Sequence, residues 1–182
     1  MLPDFMIIRR SALPINSMET VSMIRVLFVC LGNICRSPTA EGVFRDLVRR
    51  EGLNERIQTD SCGTSDWHIG NPPDERACAE AERRGIDLSD LRARQVEPSD
   101  FNDFHYVLGM DDQNITRLLA QCPVASKERV KLFLSFAPEV GRPDVPDPYH
   151  GGPDGFADVF DMIEAASRGL LADIREKHLN DL

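Results

Sequence analysis

The chain has 182 residues, 42% of them hydrophobic and 28% charged, with a net charge of -9. That length suits one domain with its own core. The acidic balance argues against nucleic acid or an anionic membrane as the main partner, since both call for clustered Lys and Arg. No apolar stretch approaches the ~20 residues that span a bilayer.

The N-terminal segment carries one short apolar run, Phe5-Met6-Ile7-Ile8, followed by Arg9-Arg10. A signal peptide has its basic residues before the apolar run, so a cytoplasmic chain is expected. The odd number of cysteines, with no spaced framework, agrees. Residues 1–23 read as a poorly ordered extension and 24–182 as a single domain; Met1, Met18 and Met23 each offer a start. A β-branched run from Ile24 to Val29 predicts a strand buried on both faces, ended by Gly32-Asn33. Apolar residues at helical spacing predict a helix from Pro38 to Arg50. Further strands are expected at Ile57 to Cys62, Phe104 to Met110 and Val130 to Phe136. Helices are expected at Pro73 to Arg84, from a cap at Asp111 to about Gln121, and from Phe156 to Lys177. A loop rich in Pro, Gly and Asp fills Ala137 to Gly155. Alternating strands and helices imply an α/β three-layer sandwich: a four-stranded parallel sheet with helices on both faces. In such folds ligands bind beyond the carboxyl ends of the strands. Cys30 stands there.

"VCLGNICRSP", from Val29 to Pro38, has the makings of a phosphate-binding loop after strand 1. A loop entering a helix gathers unpaired N–H groups and the positive end of the helix dipole. Gly32 and Asn33 tolerate the positive φ that turns N–H groups inward as an anion nest. Arg36 adds a rigid fork for two phosphate oxygens. Such a field favours the thiolate form of a cysteine, which makes Cys30 a nucleophile for in-line attack on phosphorus. Ser37 can donate to the sulfur. A phenolate or alkoxide leaving group then needs a proton, and Asp147 in "DVPDPYHGG" is the best placed carboxylic acid.

"VCLGNICRSPTAE" and "DPY" resemble the two signatures of the low-molecular-weight protein tyrosine phosphatases. The likeness extends through "DSCGTSDWHIGNPPDERA", "ARQV" and "MDDQN". It implies hydrolysis of phosphotyrosine in proteins, and of small aryl phosphates, through a phosphocysteine intermediate. Cys30 is then the nucleophile, Arg36 the phosphate clamp and Asp147 the acid, later the base. The loop is Leu31, Gly32, Asn33, Ile34, Cys35 and Arg36. Asn33, Ser37 and Ser61 brace it; Leu31, Ile34, Trp67, Tyr149 and His150 wall the cleft. The family often has a histidine where this chain has Leu91, near acids corresponding to Glu41 and Asp60. An ion pair is then either missing or supplied by Arg92. His150 replaces a usual aromatic, and Cys62 a small residue.

Trp67 reads as an exposed loop aromatic suited to a flat phenyl ring. Cys35 or Cys62 is the thiol that would trap oxidised Cys30; Cys35 is favoured, since the Cys62 side chain should point to the opposite face of the strand from that of Ser61. Cys78 and Cys122 fall in expected helices as packing residues, and His105 reads as a satisfied core residue. The four histidines and five cysteines show no ligand spacing. No metal or other cofactor is expected, and the chain should be a monomer or weak dimer. Three rival functions were weighed. An arsenate reductase needs a further cysteine pair, which Arg83 to Gln121 lacks. A protein-arginine phosphatase tends to carry Thr at the position of Ile34. A silent phosphate-binding module has no use for the acid.

Overall fold

The computed structural model describes residues 23–152 and 154–179. The extension assigned to residues 1–23 lies, apart from Met23, outside the described residues. Strand β1 (Ile24–Cys30) pairs in parallel with β2 (Ile57–Gly63) on one side and β3 (Tyr106–Gly109) on the other; β4 (Val130–Leu132) pairs with β3. The order among the described residues is therefore β2-β1-β3-β4. A central β1 with helical crossovers is the expected α/β sandwich.

Because side chains alternate along a strand, β1 feeds two cores. Val26, Phe28 and Cys30 join a cluster with Val43 and Phe44 of α1 (Arg36–Arg50) and Val159, Phe160 and Ile163 of α5 (Gly155–His178). Leu27 and Val29 join Phe101 of the short α3 (Asp100–Asp103) and Leu118 of α4 (Asp112–Gln121). Helix α2 (Glu75–Arg83) packs beside α1 and α5. No described helix is long and apolar enough to cross a membrane.

Several expected boundaries need correction. The fourth strand stops at Leu132, and Phe133–Phe136 is a 3-10 turn. Phe133 and Leu134 are consecutive and both buried, which an alternating strand would place on opposite faces. The turn lets Phe133 pack edge-on against Phe28 at 5.1 Å, and Ser135 Oγ closes it by donating to the Leu132 carbonyl at 2.6 Å. A short apolar run does not distinguish strand from helix by periodicity alone. The third strand begins at Tyr106, so His105 lies outside it, half-buried, where its Nδ1 accepts the Arg25 N–H at 3.1 Å. It is satisfied but is not a core residue. Cys122 stands just past α4 and packs in the second cluster. The short helix α3 and a 3-10 segment at Val124–Arg129 carry no periodicity long enough to read in advance.

Candidate active site

Cys30 ends β1 and is almost fully buried, with Gly63 of β2 as its register partner. The segment 31–35 then turns back into α1. Its carbonyls point outward: Leu31 accepts from the Ser65 N–H at 2.9 Å and Ile34 from the Asp74 N–H at 2.7 Å. In a trans peptide the N–H points opposite to the C=O. Gly32 N–H and Cys35 N–H therefore point away from those outward carbonyls, toward the inside of the loop. Asn33 makes the turn possible by adopting φ 55°, a left-handed conformation that asparagine tolerates. Gly63 lets the loop lie on β2, since a Cβ there would meet the Leu31 carbonyl oxygen at 2.8 Å.

A backbone N–H and a hydroxyl address the sulfur. The Asn33 N–H donates to Cys30 Sγ at 3.2 Å, and Ser37 Oγ lies 3.1 Å from it. The Asn33 amide acts as a hub: Nδ2 donates to Ser37 Oγ and to Ser61 Oγ, both at 2.9 Å, and Oδ1 accepts the Arg94 N–H at 3.0 Å. Ser61 Oγ in turn donates to Glu41 Oε2 at 2.6 Å. Asn33, Ser37 and Ser61 thus stand together as the bracing set.

Arg36 opens α1 and is buried. Burial opposes its charge, but Cys30 and the bond to Asp111 outweigh burial and hold the guanidinium more firmly protonated than a free arginine. Nη1 donates to Asp111 Oδ2 at 2.6 Å and to the Val145 carbonyl at 3.1 Å. Nη2 lies 3.5 Å from Asp147 Oδ2. Asp147 sits on the loop after β4, and its Oδ1 accepts the Tyr149 N–H at 3.0 Å. Cys30, Arg36 and Asp147 therefore line one site although they come from distant parts of the chain.

Cys30, Leu31, Gly32, Ile34, Cys35, Arg36, Trp67, His68, Asp147, Tyr149 and His150 line one cleft of about 220 Å³. Trp67 is 70% exposed and Tyr149 45%, so both aromatic rings stand at the rim. All five predicted wall residues are present. The contribution of His68 was not read in advance; its ring packs over Gly32, where a Cβ would meet His68 Cδ2 at 2.9 Å. Its place beside Trp67 in an aromatic loop was the only available signal. Arg76 was missed as well. It donates to the Tyr149 carbonyl at 3.1 Å, stacks between the Tyr149 and Phe156 rings, and is gripped by Asp74. Among the described residues, no group of three or more His, Cys, Asp or Glu could hold a metal ion.

Cys35 lies in the same cleft as Cys30. Burial, aided by Asp74, pushes its thiol up to about 12. Cys62 faces the opposite layer, packed in the cluster of Leu27, Val29 and Phe101, while Ser61 faces the loop. Arg92 does not take over from the histidine: its Nη1 donates to the Ser89 and Leu91 carbonyls. Arg94 is the arginine that holds Asp60, at 2.8 Å, together with Asp100 at 2.9 Å. Leu91 is buried in the main core.

A sequence model described as low molecular weight phosphotyrosine protein phosphatase matches residues 25–180. The chain is 44% identical over 158 residues to the low molecular weight protein-tyrosine-phosphatase YfkJ of Bacillus subtilis, covering 86% of this chain and 100% of that one. The crystal structure of YfkJ superposes with a TM-score of 0.82, covering 86% and 97% of the two chains. The human low molecular weight phosphotyrosine protein phosphatase is 40% identical over 148 residues, 80% of this chain and 92% of that one. A Drosophila arginine phosphatase shares the fold at a TM-score of 0.78 with 28% identity, covering 85% and 99%. On these matches and this loop, the chain belongs to the low molecular weight phosphotyrosine protein phosphatase family.

Proposed function

We propose that this protein hydrolyses phosphotyrosine in protein substrates through a phosphocysteine intermediate. The observation that carries the reading is the placing of Cys30 Sγ, Arg36 and Asp147 around one cleft with aromatic rings at its rim. The phosphate enters the nest made by the inward N–H groups, and the Arg36 fork takes two of its oxygens. Cys30 Sγ attacks phosphorus in line with the leaving phenolate. Asp147 protonates that oxygen, and Ser37 steadies the sulfur. Water, deprotonated by Asp147, then cleaves the S–P bond. No cofactor enters this sequence, because the loop amides and Arg36 neutralise the phosphate.

Trp67 and Tyr149 supply flat apolar walls, and Ile34 an apolar lining, which fit a phenyl ring better than the short chain of phosphoserine. Catalysis uses Cys30 as a free thiol, and all five cysteines are free, which fits a reducing cytoplasm.

The test is a comparison of kcat/KM on a phosphotyrosine peptide, a phosphoserine peptide, phosphoarginine, and arsenate with thioredoxin. Phosphotyrosine should lead phosphoserine by about a hundredfold, since a phenolate leaves more readily than an alkoxide and its ring meets the apolar walls of the cleft. A lead for phosphoarginine or turnover of arsenate would overturn the reading. An Asp147→Ala variant, which binds but turns over slowly, should then capture the physiological phosphoprotein.

A further inference from the structure

Glu41 is a buried carboxyl in the second turn of α1, 6% exposed, and no step of the reaction uses it. Its Oε2 accepts the Ser61 hydroxyl at 2.6 Å. From there a continuous hydrogen-bonded path runs through Ser61 Oγ to Asn33 Nδ2, on to Ser37 Oγ, and to Cys30 Sγ. We propose that Glu41 is a positioning residue for the phosphate loop: as a carboxylate it holds the Ser61 hydroxyl as a donor and so keeps a lone pair of that oxygen facing the Asn33 amide, and protonation releases this hold.

Donor counting supports this. The Asn33 NH₂ group has two protons and spends one on Ser61 and one on Ser37. Each hydroxyl oxygen then accepts from Asn33, and its own proton must go elsewhere. Ser37 can send its proton to the Cys30 sulfur at 3.1 Å or to the Cys62 carbonyl at 3.3 Å, and Ser61 sends its proton to Glu41. An ionised carboxylate only accepts, so Ser61 cannot turn round. A protonated carboxyl can donate toward Ser61 instead of accepting from it; the Ser61 proton then loses the acceptor that fixed the hydroxyl's rotation, and the lone pair facing Asn33 is no longer held. Asn33 is the residue held at φ 55°, and its N–H addresses the sulfur. Loosening its amide therefore loosens a donor to the nucleophile.

The surroundings bring the titration into the working range. Burial is the main cause that raises the Glu41 carboxyl, from 4.5 to about 7; the Ser61 bond and Arg45 oppose it, while Asp60 and Asp90 add to it. Asp60, on β2, is engaged by Arg94 at 2.8 Å. Arg45, on the same helix as Glu41, is held by Asp90 at 2.7 Å. Among the described residues Glu41 forms no ion pair with either arginine, and Leu91 supplies no cation at the position where the family often has a histidine. The missing ion pair leaves an acid that titrates near neutrality.

The inference rests on the phosphatase reading, and the experiment separates the two. The pH dependence of kcat/KM is measured with p-nitrophenyl phosphate for wild type, Glu41→Gln, Ser61→Ala and the double variant. Wild type should show a rise of about three- to tenfold centred near pH 7, the size expected of one charge-assisted hydrogen bond. That rise should vanish in each single variant, and the double variant should be no worse than the poorer single one. Leu91→His should move the rise to lower pH by keeping Glu41 ionised. A Glu41→Gln profile that keeps the wild-type rise overturns the inference, even if the variant is less stable. Absence of wild-type turnover overturns the phosphatase reading instead. If Glu41→Gln does not fold, the carboxyl ¹³C resonance of Glu41 in wild type, followed alongside the Asn33 side-chain NH₂ signals, decides the matter. The two should titrate together, and independent titrations refute the coupling.

Discussion

Arg36 Nη1 and Asp111 Oδ2 lie 2.6 Å apart, tying the first residue of α1, where the phosphate loop ends, to the cap of α4. Asp111 serves two structures at once, because its Oδ1 also accepts the Asn114 N–H at 2.8 Å. Asparagine caps a helix about as well as aspartate but carries no charge. Asp111→Asn should therefore keep the melting temperature within a few degrees while lowering kcat/KM about tenfold, as the guanidinium loses a charged anchor. Asp111→Ala should add roughly 1 kcal/mol of destabilisation from the lost cap. Steady-state kinetics and thermal melts on both variants check this. Wild-type kinetics in Asp111→Asn would reduce the pair to a structural tie.

Cys30→Ser should stay folded and lose turnover, since the serine hydroxyl does not ionise near neutrality. Removing an activated nucleophile can cost about 10⁶-fold. A variant retaining more than about a hundredth of wild-type kcat would remove Cys30 from the nucleophile's role.

Asp147→Asn should leave p-nitrophenyl phosphate partly reactive, slowed by the loss of the base that activates water, and nearly silence phenyl phosphate. The acid matters only where the leaving oxygen needs a proton, a contribution of about 10²–10⁴-fold. Arg76→Ala should shift leaving-group dependence in the same direction, but less. Arg76 grips the Tyr149 carbonyl, and the Tyr149 N–H holds the Asp147 carboxylate. Equal losses on the two esters would mean that Arg76 acts on the cleft wall and not on the acid.

The same Glu41 that orders the loop carries a stability cost. Its carboxyl binds a proton more tightly when folded, at about 7 against 4.5 for the ordinary value. Between those values the folded chain holds more protons than the unfolded one, so stability falls as pH rises. The contribution is complete below about pH 4.5 and is lost through about pH 7. It amounts to roughly 3 kcal/mol at full ionisation. Urea midpoints of wild type, referenced to Glu41→Gln at each pH, should fall across that window. A flat difference would show that the carboxyl does not change charge there.

Peroxide should inactivate the enzyme reversibly. Cys30 is oxidised to a sulfenic acid, and the Cys35 thiol condenses with it to form a disulfide and release water. The raised Cys35 pKa slows that attack at neutral pH, so protection should improve as pH rises. Non-reducing peptide maps should show a Cys30–Cys35 link, with activity restored by dithiothreitol. A Cys30–Cys62 link is disfavoured because Cys62 packs against the other layer; its detection would reassign the partner thiol.

The stretch from β1 into α1 was legible because three local signals agree there: a β-branched run, a Gly-Asn turn and Ser-Pro before an amphipathic segment. Bracing by Asn33, Ser37 and Ser61 came from the resemblance, and the geometry unites them. The second role of Asp111 was hidden, since its partner lies 75 residues away and its helix cap already accounted for the residue. Arg94 stood inside a quoted motif, yet only the fold shows it joining Asp60 to Asp100. The turn at Phe133–Phe136 looks like strand in the sequence because a short apolar run has no period of its own. Local signals reveal conformation; contacts between distant residues require the assembled sheet.

Trp67 is the single tryptophan of the chain, and its ring stands exposed at the rim of the cleft. The indole emission of this molecule therefore comes from one place, beside the substrate. An aryl phosphonate that stacks on the ring should shift and quench that emission, giving binding constants without a label. Phosphate alone, seated on the loop below, should leave the signal nearly unchanged. Because no second indole lies in the interior, the emission is blind to the core and reads the entrance alone, a built-in optical gauge of what approaches the thiol.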